Sequence, residues 1–226
     1  MASVSRKRTS SGAAGQSPRF RKTGVLTRAE LSRLGRLPGR KRLEKGPVVV
    51  IECVENIPCN PCVAACPRKA ITMPGGLTGL PEVDYELCTG CTMCVARCPG
   101  LAIFVVNLNY SKTEAAVTIP YELLPWPAVG SRVAALDRSG RQVARARVLK
   151  VLDAKALDRC AVVTVAVPKR LWNEVRSIKV NSELRTTNYE RQRQRTSRRS
   201  ASADRKSKST SQKRGNVPRR RKRRAR

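Results

Sequence analysis

Histidine is absent from all 226 residues of this chain. Its absence removes Rieske-type ligation, histidine-held haem, zinc sites built on imidazole, and any Ser–His or Cys–His catalytic pair. Gly-x-Gly-x-x-Gly and P-loop patterns are also missing, so nothing predicts a dinucleotide or nucleotide triphosphate site. No run of about 18 apolar residues occurs, and no membrane span is expected. The N-terminal stretch is basic without an apolar core segment, so no secretory signal is expected. Its Arg- and Ser-rich, acid-poor character leaves a transit peptide open.

Acidic side chains are scarce: 16 Asp and Glu against 47 Lys and Arg, a net charge of +31. The imbalance is uneven. Residues 1–46 carry 13 basic and 2 acidic side chains, residues 181–226 carry 18 and 3, and residues 47–180 carry 16 and 11. Most of the excess therefore belongs to the two ends, and the overall charge says little about the part that folds. The 1–46 segment is predicted as a basic arm, disordered over 1–22. Thr27-Arg-Ala-Glu30 is a capping-box signature that predicts a short helix from Arg28 to about Arg36, docking through Leu31 and Leu34 and ending at Pro38-Gly39. Residues 181–226 are Arg, Lys, Ser and Gln with no hydrophobic period, and read as a disordered tail.

Nine cysteines are present, and eight of them fall in two stretches, Cys53 to Cys66 and Cys88 to Cys98. Cys59-Asn-Pro-Cys62-Val-Ala-Ala-Cys66-Pro67 precedes Cys88-Thr-Gly-Cys91-Thr-Met-Cys94-Val-Ala-Arg-Cys98-Pro99. The second is a complete C-x2-C-x2-C-x3-C-P run. A slide of 32 residues lays Cys59–Ile71 over Cys91–Ile103, and eight of the thirteen positions are then identical. Paired C-x2-C units also serve zinc, but zinc needs four thiolates per ion and no C-P duplication. Disulfides fit poorly, because close-spaced cysteines without a secretory signal suit a reducing compartment; a cytoplasmic location is expected. Cys160 opens the apolar run Ala161–Val167 and reads as core.

On these tracts the chain resembles the bacterial-type ferredoxins that carry two [4Fe-4S] clusters. The resemblance implies a duplicated β-loop-helix-β domain over 47–108 and crossed ligation. Cys88, Cys91, Cys94 and Cys66 would hold one cluster, and Cys59, Cys62, Cys98 and a further ligand the other. In that register the counterpart of Cys88 is Asn56, which cannot serve. Cys53, three residues earlier, is expected to fill the corner if the Val54–Pro58 loop bows outward; the alternative is a small buried hydrophobe at the end of a strand. Basic Arg68, Lys69 and Arg97 beside the fourth cysteines would favour reduced clusters; alternatively they only face solvent.

Residues 109–180 predict a second, antiparallel β-domain of about four strands, possessing no catalytic constellation: Ala115–Ile119, Ser131–Leu136, Gln142–Val151 and Ala161–Val167. Asp137-Arg-Ser-Gly140 reads as a hairpin turn and Pro168 as the start of a short helix. The fold class expected is α+β. From about Gly24 to Lys179 the chain is further similar to the small ferredoxin-like subunits of FAD-dependent amino-acid and amine dehydrogenases, of the sarcosine-oxidase and hydrogen-cyanide-synthase type. The residues carrying this are Ile51 to Cys62, Cys88-Thr-Gly-Cys91 and Cys98 to Val106. It implies a non-catalytic subunit that takes electrons from a FAD-containing dehydrogenase partner. A second reading makes the clusters structural or sensory and the tail a nucleic-acid binder. Against it, Tyr189 is the tail's single stacking ring and no nucleic-acid-binding fold is recognised.

Overall fold

The computed structural model describes residues 19–152, 157 and 160–180. The tail over 181–226 and the arm over 1–18, both expected to be disordered, lie outside the described residues. The architecture is mixed α and β, with strands predominant and a few short helices.

Three short helices precede the first strand: α1 (Arg19–Thr23), α2 (Arg28–Arg33) and α3 (Arg40–Leu43). α1 overturns the expectation of disorder at residues 19–22, since the Phe20 N–H donates to Glu30 Oε1 at 3.1 Å and the Phe20 ring is buried. α2 carries the capping box: Glu30 N donates to Thr27 Oγ1 at 3.2 Å and Thr27 N to Glu30 Oε2 at 2.9 Å. It stops earlier than expected. Gly35 adopts φ +67 and Arg36 N donates to Leu31 O, a left-handed glycine stop that precedes Pro38-Gly39. Leu31 is fully buried, whereas Leu34, beyond the stop, is 45% exposed and does not dock.

One antiparallel sheet of seven strands runs in the order β1-β4-β5-β8-β7-β6-β9. Its members are β1 (Val48–Ile51), β4 (Ile103–Asn107), β5 (Glu114–Tyr121), β6 (Arg132–Leu136), β7 (Gln142–Leu152), β8 (Ala161–Pro168) and β9 (Ser177–Lys179). A 3-10 turn, Lys169–Leu171, follows β8, where Pro168 predicted a helix. The turn Asp137–Gly140 closes β6 on β7: Asp137 Oδ1 accepts from the N–H groups of Ser139 and Arg141, and Gly140 takes φ +81. The β9 strand was not foreseen, because three residues after a turn carry too little pattern. Irregular register in β6–β7 and β7–β8 bends the sheet, and β9 returns to β5. The boundary expected near residue 108 falls in the β4–β5 connection, within this continuous sheet.

β1 and β4 are the hinge of the architecture. Val48, Val50, Phe104 and Val106 face the core enclosed by β5–β9, with Val117, Ile119, Val165 and Ile178. Val49, Ile51, Ile103 and Val105 face the other way, into a second core containing Cys62, Cys94, Ile71 and Val95. Uninterrupted apolar sequence is what a strand buried on both faces requires. The cysteine tracts lie on that second face, joined by the small pair β2 (Ile71–Thr72) and β3 (Glu82–Val83). A single helical turn, α4 (Pro61–Ala64), sits between Cys59 and Cys66.

Candidate metal centres

β1 delivers the chain to Cys53 two residues after its last member, and α4 places Cys62 on a buried face. The eight tract cysteines gather in two sets of four. Cys53, Cys59, Cys62 and Cys98 line a hollow walled by Ile51, Met73 and Ile103. Cys66, Cys88, Cys91 and Cys94 line another walled by Val49, Ile71 and Val105. Each set takes three cysteines from one tract and the fourth from the other. The loop between Cys53 and Cys59 is exposed from Glu55 to Pro58, while Cys53, with Glu55 and Ile57, lines the first hollow. Asn56 Nδ2 donates to Thr78 O at 3.2 Å and Cys59 N to Leu77 O at 3.1 Å, tying this loop to the 74–80 segment. Cys160 is buried in the same second core but lines neither hollow.

The two halves repeat in backbone detail. Lys69 and Leu101, 32 residues apart, both adopt φ +51. That left-handed step costs a non-glycine residue on the order of 1 kcal/mol, and here it turns the following N–H back toward a sulfur. Ala70 N donates to Cys66 Sγ at 3.2 Å, and Ala102 N to Cys98 Sγ at 3.4 Å. Such donors offset charge on a thiolate. Gly90 shows why the second loop needs a glycine: it has φ +67, and a Cβ there would stand 2.7 Å from Pro47 Cβ.

As free thiols the inner cysteines resist ionisation. Burial pushes Cys62 up to about 11, with Cys98, Cys59 and Cys53 adding to the rise. Burial takes Cys94 to about 12, and Cys91, Cys88 and Cys66 contribute. Cys62 and Cys94 therefore stay protonated at neutral pH unless positive charge enters beside them, and thiolate ligation then releases protons. Soft sulfur donors with N–H groups aimed at them suit an iron–sulfur cluster. A single zinc ion needs its donors drawn to within about 2.3 Å of one point. Among the described residues, no three Cys, Asp or Glu side chains gather so closely. Sulfurs spaced around a hollow fit the corners of a polynuclear cluster better.

Positive charge surrounds these hollows at two depths. Arg68, Lys69 and Arg97 are exposed, where solvent and salt screen them. Arg42 on α3 reaches further in: its Nε donates to Tyr85 O and its Nη2 to Cys88 O, both at 2.6 Å, clasping the entry to the second loop. Deeper lies a group that sequence reading missed. Glu52, beside Cys53 and 8% exposed, accepts from Arg138 Nε at 2.8 Å, Arg138 Nη2 at 2.6 Å and Arg176 Nε at 2.7 Å. Burial alone would raise the Glu52 carboxyl; the Arg138 hydrogen bond and the charges of Arg176 and Arg138 outweigh it and hold it below its ordinary value. Burial brings Arg176 down to about 10, against the pull of Glu52.

Comparison with known proteins places these features. A family model described as a 4Fe-4S dicluster domain matches residues 53–102. An uncharacterized ferredoxin of Methanocaldococcus jannaschii is 37% identical over 67 residues, 30% of this chain and 40% of its own length. One component of the polysulfide reductase of Wolinella succinogenes is 41% identical over 46 residues, 20% of this chain and 23% of its own length. Ketoisovalerate oxidoreductase subunit VorC of Methanothermobacter marburgensis is 36% identical over 64 residues, 26% of this chain and 81% of its own length. The chain thus spans less than half of the first two relatives and most of the third. No solved structure matches the chain.

Proposed function

Since the chain belongs to the 4Fe-4S ferredoxin family, we propose that it carries two [4Fe-4S] clusters and relays electrons for a FAD-containing dehydrogenase subunit. Cys53, Cys59, Cys62 and Cys98 would hold the first cluster; Cys66, Cys88, Cys91 and Cys94 would hold the second, completing a duplicated ferredoxin-like domain. The observation that carries this reading is the gathering of eight thiols into two crossed sets of four. Such clusters, when bound, supply one-electron transfer.

The chain's own contribution is binding, orientation and exclusion of water. β1 and β4 supply apolar walls to both hollows, so the sulfurs sit against dry surface on one side. Cys91, on the opposite side, is exposed, giving the second hollow an edge toward solvent. The Ala70 and Ala102 N–H groups steady the two cysteines that cross between tracts. No catalytic role is assigned to any side chain here; two of the relatives are, by name, parts of oxidoreductases.

The partner half of the proposal rests on the resemblance of Ile51–Cys62, Cys88–Cys91 and Cys98–Val106 to the small ferredoxin-like subunits of FAD-dependent amine and amino-acid dehydrogenases. Anaerobic affinity purification of the full chain from its native source, read by visible spectrum and protein bands, tests it. Co-purifying flavin with a larger flavoprotein is the expected result, and a brown protein with no flavoprotein would remove the FAD partner. Reducing conditions, as in a cytoplasm, suit nine unpaired thiols. Among the described residues no helix is long and apolar enough to cross a membrane.

A further inference from the structure

Glu52 lies between two anchored features. Its backbone N–H donates to Ala102 O at 2.8 Å, and Ala102 in turn donates its own N–H to Cys98 Sγ. Its side chain is gripped by Arg138 from the β6–β7 turn and Arg176 from the segment before β9. Arg138 Nη2 also donates to Asn173 Oδ1 at 2.9 Å, and its Nη1 stands 3.9 Å from the half-exposed Glu174. Arg176 Nη1 donates to the carbonyls of Trp172 and Val175, and its guanidinium lies 4.7 Å from the centroid of the Phe104 ring. Arg176 Nη2 and Asn173 Nδ2 are buried without a hydrogen-bond partner.

Two features of this group are not explained by stability. Burying three charges is costly, and well-packed apolar residues of similar volume often serve a fold equally well or better. Among the buried members two guanidiniums share one carboxylate; the balancing Glu174, 3.9 Å from Arg138 Nη1, is half exposed and screened by solvent, so the buried part of the group keeps one positive charge in excess. Glu52 is covalently next to Cys53, and the same residue's backbone is coupled to the neighbour of Cys98. Both cysteines line the first hollow.

We propose that the Glu52–Arg138–Arg176 group is a positioning device for Cys53 that also sets the potential of the first centre above that of the second. This rests on reading the two hollows as cluster sites. The clamp fixes the residue from which the exposed 54–58 loop departs, so Cys53 is presented at a fixed corner although its loop is longer than that of the second tract. The buried excess charge favours the reduced, more negative centre. The second hollow has Arg42 on a backbone carbonyl and otherwise exposed cations.

Changes of opposite sign test it in the full chain reconstituted with iron and sulfide. Arg176→Met removes a positive charge at similar volume, and Glu52→Gln removes the negative one. Anaerobic redox titrations followed by EPR should show one centre moving in opposite directions: reduction about tenfold harder in Arg176→Met, 59 mV for a one-electron couple, and easier in Glu52→Gln. The moving signal should be the one that Cys53→Ser alters. Arg176→Lys should restore the potential even where it lowers the melting temperature. A purely structural role would lower melting in both variants and leave both midpoints in place, which would overturn the proposal. Should Arg176→Met fail to fold, Glu52→Gln and Arg138→Met give the same comparison. A wild-type protein that binds no iron or sulfide would instead overturn the cluster reading beneath it.

Discussion

Cys53 was legible as a candidate only because its neighbours had already defined a pattern with one corner missing. Ligand spacing is written in the sequence, since chelation by one loop depends on residues a few positions apart. The side chains that serve the loops are not: Glu52 meets Arg138 and Arg176 across separations of 86 and 124 residues, and no local pattern encodes such partners. The backbone donors to Cys66 and Cys98 were equally hidden, since they depend on left-handed Lys69 and Leu101, types without a turn signature. Replacing Cys53 with Ser is expected to remove or shift one centre's EPR signal while sparing the other; two unaltered signals would strike Cys53 from the ligands. Gly90→Ala should cost about 1–3 kcal/mol through positive φ and collision with Pro47. Thermal melting and iron content measure it, and a variant with wild-type melting would show that Pro47 yields freely.

Short elements show where local coding succeeds. Thr27 and Glu30 announced α2, and Thr27→Ala is expected to lower stability by about 1 kcal/mol, seen as a lower melting temperature. The strands β5, β7 and β8 were readable from β-branched runs, while the end of α2 was misplaced because Gly35 stops it ahead of the more conspicuous Pro38-Gly39. Glu52 joins β1 to the β6–β7 turn, and its charge makes this joint sensitive to acid. Its folded value lies below the ordinary 4.5. Its contribution is therefore fully present above 4.5 and is lost as pH falls through the lower, folded value. At neutral pH, Glu52→Gln leaves two buried cations without their carboxylate, a loss of about 3–5 kcal/mol. The melting gap between wild type and Glu52→Gln should then narrow below pH 4.5; a gap constant with pH would mean the carboxylate is not ionised in the fold.

The whole molecule is two cores sharing one ribbon, β1 with β4. The sequence suggested two domains in succession, and the runs Val48–Ile51 and Ile103–Val106 did carry the reason why one sheet unites them: every residue of both is buried. Alternation is absent from a strand with cores on both sides, so which neighbour each face meets could not be read. The side enclosed by β5–β9 is packed by Val, Ile and Ala, whereas the cysteine side is small and lined by thiols. Chelating the iron anaerobically should accordingly abolish amide protection at β2, β3 and α4 and spare that of β5 and β8. Uniform loss across both would show that the cores do not open separately. The central claim is that eight thiols hold two clusters of four irons each. Iron and acid-labile sulfide per chain, determined on anaerobically purified protein with the EPR spectrum of its reduced form, test this most directly. About eight of each, with signals from two interacting centres, is the expected result. About four of each with one centre, or zinc in place of iron, would contradict it.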